Sequence, residues 1–319
     1  MFEKLKDFFR KKKVDDEQAK VCKFKKRGFL DYLSKIVGIV LGLFVIYNLY
    51  HVYNFKDRFV SGEHLAIVKV AGTISPTDAA NANWLGVAIK DALEAEDSRA
   101  VALIISSGGG APYESEKLVR EINYLKSIHK DKKIYAVVEG LGASAAYHIA
   151  SAADEILVGE TSMIGSIGVI LSNYDAIKLQ DKLGIYDRTI TAGENKDILS
   201  YTKPITPFQQ KHIETSINLV HQKFINDVKE GRKGRISDAP EIYSGLFWVG
   251  KQAVELGVAD RIGDINTLKR ELNLDKVKNY TKVKGGFGGL FNSSMNQIGQ
   301  GIAQGISAEL REAQTPSLY

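Results

Sequence analysis

The strongest constraint on this chain is an alternation that begins at Leu65. Apolar, β-branched runs recur between amphipathic stretches: LAIVKVAGTI (65–74), AVALIIS (100–106), IYAVVEG (134–140), EILVG (155–159), IGVIL (167–171) and RTITAG (188–193). Helical periodicity covers 81–96, 113–129, 143–152, 173–183 and 206–230, with another helix near 250–256. The strand runs are apolar nearly throughout rather than alternating cleanly with polar residues. A sheet of such strands needs helices on both faces, which makes the fold α/β. With 29 Gly, 6 Pro, one Cys and 25% charged residues, the chain is neither collagen-like, disulfide-framed nor wholly disordered.

A second segment is apolar for a different reason. IVGIVLGLFVIYNLY, extended to Tyr53, gives eighteen uncharged residues (36–53) except for a histidine, close to the ~20 that span a bilayer as a helix. Lys23, Lys25, Lys26, Arg27 and Lys35 crowd its near end, and Tyr47, Tyr50 and Tyr53 its far end. The positive-inside rule then keeps the N-terminus in the cytoplasm and places the following domain across the membrane. HVYNFKDRFVSG offers no small-x-small cleavage site, which favours an uncleaved single-pass anchor over a signal peptide. The formal net charge of +5 resides in this tail: residues 1–35 carry twelve Lys or Arg against six acids, leaving the rest of the chain near neutral. A near-neutral body argues against nucleic acid as a partner. Cys22 is the one thiol and has no intramolecular partner.

The organisation expected is a basic tail (1–35), the anchor (36–53), a stalk (54–62), an α/β domain (63–275), and a Gly-rich connector with a C-terminal segment (276–319). In that last segment Ile298, Ile302, Ile306 and Leu310 recur every four residues, a weak helical stripe.

Two junctions are suited to chemistry. At SSGGGAPYESEKL, a strand runs through Gly108, Gly109 and Gly110 into a helix. Such glycines let backbone N–H groups approach an oxyanion, although a plain strand-to-helix turn reads the same way. At EGLGASAAYHIASAADEI, a strand ends and Ser144 opens a helix of small residues. A serine here is either a nucleophile near the positive end of a helix or an ordinary N-cap. His148 lies one turn later, in poor geometry for taking the Ser144 proton, and reads as a packing or interface residue. His51, His64, His129, His212 and His221 lack an acidic partner at suggestive spacing, and no HExxH or Cys/His cluster calls for zinc. Lys196, just beyond the RTITAG run, is either a base made neutral by burial or a solvated surface lysine.

Taken together, the ordered segments SSGGG (106–110), ASAAYHIASAADEI (143–156), MIGSIGVI (163–170) and AGENKDIL (192–199) resemble the SppA/SohB family of membrane-anchored serine–lysine peptidases, over roughly residues 65–265. The resemblance implies a ClpP/crotonase-like spiral of ββα units, following one transmembrane helix, that assembles as a homo-oligomeric ring. It implies Ser144 as nucleophile, Lys196 as general base and Gly109 as oxyanion-hole donor, with Gly165 and Ser166 in the site wall. No metal or organic cofactor is implied. The substrates implied are signal-peptide remnants and other membrane-associated peptides, cleaved on the periplasmic or extracellular side of a bacterial cytoplasmic membrane. In some members the serine and lysine meet across a subunit interface.

The chain departs from the family at two places. Ile105-Ser106-Ser107 stands where Asn-Ser-Pro commonly precedes the glycines, and Ala145-Ala146 where Gly-Gly often follows the nucleophile. The alternatives are a catalytically silent relative acting as a membrane scaffold or regulator, and an acyl-CoA-handling enzyme of the crotonase type. The second is opposed by the expected placement of the domain away from cytosolic CoA.

Overall fold

The computed structural model describes residues 35–47 and 62–282, and the chain divides into two compact units, residues 1–59 and 60–319. In the first unit, residues 35–47 form a helix, α1, exposed along its whole length. Thirteen residues rise about 20 Å, short of a bilayer's ~30 Å hydrocarbon core. Among the described residues no helix is long and apolar enough to cross a membrane. The rest of the expected span, 48–53, lies outside the described residues, as do Cys22, nearly all of the basic tail and stalk, and the isoleucine stripe after 283.

The second unit is an eight-stranded sheet with helices. Its strands are β1 (His64–Ala71), β2 (Ser98–Ser107), β3 (Ile134–Ala143), β4 (Glu155–Val158), β5 (Met163–Gly165), β6 (Phe247–Val249), β7 (Arg261–Ile262) and β8 (Val277–Asn279). The main path runs β6-β5-β3-β2-β1-β8, with β4 and β7 branching from β3. All pairings are parallel except β5 with β6. β8 extends the sheet past residue 275, where the sequence suggested the domain would end.

Side-chain alternation assigns the two faces. Ala66, Val68 and Val70 of β1 point to one face with Val101, Leu103 and Ile105 of β2 and Ala136 and Val138 of β3. Helices α2 (Ala82–Glu94), α3 (Pro112–Ile128) and α4 (Ala145–Ser151) cover that face with Leu85, Ile89, Leu118, Ile122 and Ile149. Each such aliphatic side chain, wholly withdrawn from water, contributes roughly 1.5–3 kcal/mol relative to exposure. Leu65, Ala102, Tyr135, Val137 and Leu157 form a smaller cluster on the opposite face with Leu268 of the helix Ile265–Glu271 and Leu274.

The sheet forks within β3. Tyr135–Val138 pair with β4, whereas Leu141–Ala143 pair with β5. Gly140 sits at the fork with φ +82°, a region open to glycine. Ser162 repairs the gap in the ladder: its hydroxyl accepts from the Gly140 amide at 2.9 Å and donates to the Val138 carbonyl at 3.3 Å. Past the fork the end of β3 stays in the main sheet, between Ser107 of β2 and β5, and so delivers Ser144 beside Gly165.

Two expected strands are not strands. Residues 167–171 and 188–193 have no regular structure, and Ile170 and Ile190 are 89% and 96% exposed. Both belong to a long arm, 168–205, that carries α5 (Ile177–Leu183) and leads into α6 (Pro207–Gly231). Among the described residues their apolar runs pair with no strand.

Candidate active site

Ser144 occupies the N-cap position of α4, but its side chain caps nothing. Its backbone has φ +54° and ψ −124°, a conformation that costs a non-glycine residue about 1–3 kcal/mol. Two bonds and one close packing hold it there. The Ser144 amide donates to the Gly165 carbonyl at 2.8 Å, and the Ser144 carbonyl accepts from the His148 amide at 2.9 Å. Gly109 packs so closely that a Cβ on it would lie 2.8 Å from the Ser144 Cβ and 2.9 Å from the Ala145 nitrogen. Behind it, a side chain on Gly110 would collide with the Ile74 carbonyl, because the Ala111 amide donates to that carbonyl at 2.8 Å. The N-cap alternative for Ser144 is thus not the one the fold adopts, and its hydroxyl has no hydrogen-bond partner among the described residues.

Ser144 lines a cleft of about 960 Å³ together with Gly108, Gly110, Ala145, Ser166 and Gly168. Its opposite wall is α6, through Leu219, Val220, Lys223 and Phe224. Ser166, at φ +53°, donates its amide to the Leu246 carbonyl at 2.8 Å, and Gly165 packs against the Trp248 ring. The His221 Nε2 donates to the Ile167 carbonyl at 3.0 Å, tying the stretch after β5 to α6.

The Gly109 amide donates to the Ser107 hydroxyl at 3.1 Å, and that hydroxyl donates in turn to the Gly72 carbonyl at 2.6 Å. Ser107 is one of the residues by which this chain departs from the family pattern, and it already engages the amide expected to hold an oxyanion. Sequence reading passed over the Ala145 amide. As the first residue of α4 it has no preceding helical turn to bond to, and Ala145 lines the cleft. Its signal was positional: the residue after a serine that opens a helix presents a free N–H beside that serine.

His148 is buried, with both ring nitrogens engaged. Nε2 lies 2.9 Å from the Asp227 Oδ2 of α6, and Nδ1 lies 3.1 Å from the Ser115 hydroxyl of α3. Burial pushes the imidazole below its ordinary pKa, and the hydrogen bond and charge of Asp227 oppose that shift in part.

Lys196 is not in the cleft. It is exposed on a turn in the arm, where its amide donates to the Gly193 carbonyl at 3.1 Å. Beside it, the Asn195 Oδ1 accepts from the Gln209 side chain in the first turn of α6 at 3.0 Å. Ten residues of helix, about 15 Å, separate Gln209 from Leu219, the first residue of α6 to line the cleft. The turn is braced by Asp187, Asp197, Thr202 and Lys203. Hydrogen bonds from Thr189 and Thr202, with Lys203 nearby, hold the Asp187 carboxyl at about 2. Among the described residues, no group of three or more His, Cys, Asp or Glu side chains is gathered to hold a metal ion.

Comparison with known proteins adds a family to this geometry. Peptidase family S49 matches residues 126–278. A putative protease of Methanocaldococcus jannaschii is 36% identical over 225 residues, covering 69% of this chain and 71% of that protein. The putative signal peptide peptidase SppA of Enterococcus faecium is 30% identical over 231 residues, covering 68% of this chain and 66% of that protein. A protein of Brucella abortus named Na(+)/H(+) antiporter NhaA is 38% identical over 218 residues, which are 67% of this chain but 29% of that much longer protein. The family match at 126–278 includes the fork of the sheet, Ser144, the α6 wall of its cleft and the arm, and on these matches the chain belongs to peptidase family S49, the SppA/SohB peptidases.

Proposed function

We propose that this chain is a membrane-anchored serine endopeptidase whose catalytic domain is a ClpP/crotonase-like spiral, with residues 36–53 as its anchor. The observation that carries the reading is the backbone of Ser144: a non-glycine residue held at φ +54° at a strand-to-helix junction, its hydroxyl unbonded above a cleft. Strain of this kind persists where the surroundings over-determine it, and it serves a nucleophile by presenting its oxygen at a turn.

Ser144 is the nucleophile and Lys196 the base. A neutral lysine amine takes the hydroxyl proton, and the serine oxygen bonds to a peptide carbonyl carbon. The oxyanion formed is held by backbone amides at Gly109 and Ala145, with Ser107 giving up its bond to the first. The C–N bond then breaks as the proton passes to the departing amine, and water hydrolyses the ester. Gly165 and Ser166 form the wall along which the peptide lies. An oxyanion donor of this type is worth about 10²–10³ in rate.

Lys196 comes from a second copy. Its turn is exposed and bonded to the end of α6 distant from the cleft, and among the described residues the Ser144 hydroxyl is hydrogen-bonded to no basic side chain. The arm also exposes Tyr174, Leu179, Leu183, Tyr186 and Ile190, each at least 60% accessible, an apolar load suited to burial against a neighbour. Repetition of that contact closes a homo-oligomeric ring. The peptides cleaved are signal-peptide remnants and other membrane-associated peptides, at the outer side of a bacterial cytoplasmic membrane.

Mixing two inactive variants tests this arrangement. Ser144→Ala and Lys196→Ala are purified separately in detergent, dissociated, combined and reassembled. Random assembly pairs an intact serine with an intact lysine at about a quarter of the sites, so activity near a quarter of the wild-type value is expected. Failure to exceed the parent variants in rings of mixed composition contradicts it.

A further inference from the structure

The machinery proposed above makes no use of His148, although it is the most fully engaged titratable group in the cleft. It is 4% exposed, it follows Ser144 by one helical turn, and it has partners on two other helices. Its Nε2 meets Asp227 at 2.9 Å on α6, and its Nδ1 meets Ser115 at 3.1 Å on α3. The ring of Phe224 packs on it with centroids 4.7 Å apart. Asp227 is itself held by the Lys223 ammonium, at 2.5 and 2.6 Å.

From this geometry we infer that His148 is a positioning residue for Ser144, clasping the nucleophile's helix between α3 and α6 through Ser115 and Asp227. The inference rests on the peptidase reading for its consequence but on these contacts for its existence. α4 has only seven residues and does not hold its own orientation by length. Its backbone at His148 is bonded to the Ser144 carbonyl, so a tilt of α4 moves the Ser144 peptide directly. The clasp fixes that tilt against α6, which is also the opposite wall of the cleft. Width of the cleft and aim of the nucleophile are therefore set by the same pair, His148 and Asp227.

The bonding also defines which protonation state the clasp uses. With one ring proton, Nε2–H donates to Asp227 and Nδ1 accepts from the Ser115 hydroxyl. A second proton on Nδ1 obliges the ring to donate to Ser115, whose hydroxyl proton then goes to the Pro112 carbonyl, 2.9 Å away. The charged groups facing the ring are Asp227 and Lys223 from α6 and Glu116 from α3. Burial weighs against the doubly protonated ring, so the neutral clasp is the working one.

The test uses the full-length protein in detergent, with His148→Gln, His148→Phe, Asp227→Asn and Ser144→Ala. Gln retains a donor toward Asp227 but does not titrate, whereas Phe retains the ring and loses both bonds. Peptide cleavage is measured from pH 5 to 8, together with amide exchange in the segment 144–151. His148→Phe and Asp227→Asn are expected to lose about tenfold to 10²-fold in kcat with KM within about threefold, as for small misplacements of a reacting group. His148→Gln should recover most of that loss and lack the acid-side fall in kcat expected of the wild type as pH drops through the lowered His148 pKa. Exchange in 144–151 should quicken in the Phe and Asn variants and stay near wild type in Gln. Wild-type kcat and exchange in all three overturns the inference. A Gln variant as slow as Phe, or one that keeps the acid fall, overturns it also. Activity that survives Ser144→Ala, or a wild type that cleaves nothing, counts against the peptidase reading instead, and the exchange data then decide the clasp alone.

Discussion

The Ser144 amide donates to the Gly165 carbonyl at 2.8 Å, so the residue proposed to attack is held by the residue proposed to form the wall beside it. That bond exists because β3 forks. Its last residues leave β4 and pair with β5, which ends at Gly165 with φ +104°. Gly109 closes the same corner from the other side.

Gly109→Ala tests how tightly that corner is packed. The new methyl group would lie 2.8 Å from the Ser144 Cβ, on a backbone at φ +103°. Strain from the dihedral alone costs about 1–2 kcal/mol, within what a folded domain tolerates. Peptide cleavage is expected to fall at least about 10²-fold while circular dichroism remains that of the wild type. Near-normal activity would show that the corner relaxes freely.

The buried pair beneath α4 is structural, and its loss should show as stability rather than rate. Arg232 is fully buried and donates to Asp260 at 2.6 and 2.9 Å and to the Gly257 carbonyl at 2.8 Å. Removing one partner leaves the other charge partly buried, so Arg232→Ala is expected to cost about 3–5 kcal/mol in urea denaturation. A cost under about 1 kcal/mol would mean that Arg235, 3.3 Å from the same carboxylate, replaces it.

Acid should destabilise the domain through His148. Burial lowers its pKa in the folded state below the unfolded value of about 6.5. Between those two values the unfolded chain binds more protons, so stability falls as pH drops below about 6.5 and levels off beneath the folded pKa. Melting at pH 7.5 and 5.5 should show a smaller drop for His148→Gln than for wild type. Equal drops would remove His148 from the acid response.

Ile190→Glu separates assembly from folding. The side chain is 96% exposed. Its replacement should leave the melting temperature of dissociated subunits unchanged, reduce ring formation in sedimentation, and reduce activity in parallel. A full-sized, fully active ring would exclude this part of the arm from the interface.

The central strands and longer helices were legible because their signals are local. β1, β2 and β3 read as β-branched runs, and α6 announces itself with Thr206 and Pro207 and closes its capping box with Gln209. What escaped depends on tertiary partners. β6, β7 and β8 have two or three residues each, too few for any period, and exist only by pairing with β5, β4 and β1. IGVIL and RTITAG failed in the other sense, having strand composition but no neighbour. Within the site, local signals pointed to Ser144 and Gly109 and the resemblance to Gly165 and Ser166, and the fold brings the four to one corner. Lys196 could be read from its position as a base or as a surface lysine, only the resemblance chose the base, and the single chain leaves it on the exposed arm. The partners of His148 were invisible because Ser115 and Asp227 lie 33 and 79 residues away.

The most direct measurement of the central claim is cleavage of a fluorogenic peptide by the full-length protein beside Ser144→Ala and Lys196→Ala, with assembly size checked for each. The account expects wild type to cleave and both variants to lose at least about 10³-fold at unchanged size. Cleavage by Lys196→Ala near the wild-type rate would contradict it, and so would a folded, assembled wild type that cleaves no faster than Ser144→Ala.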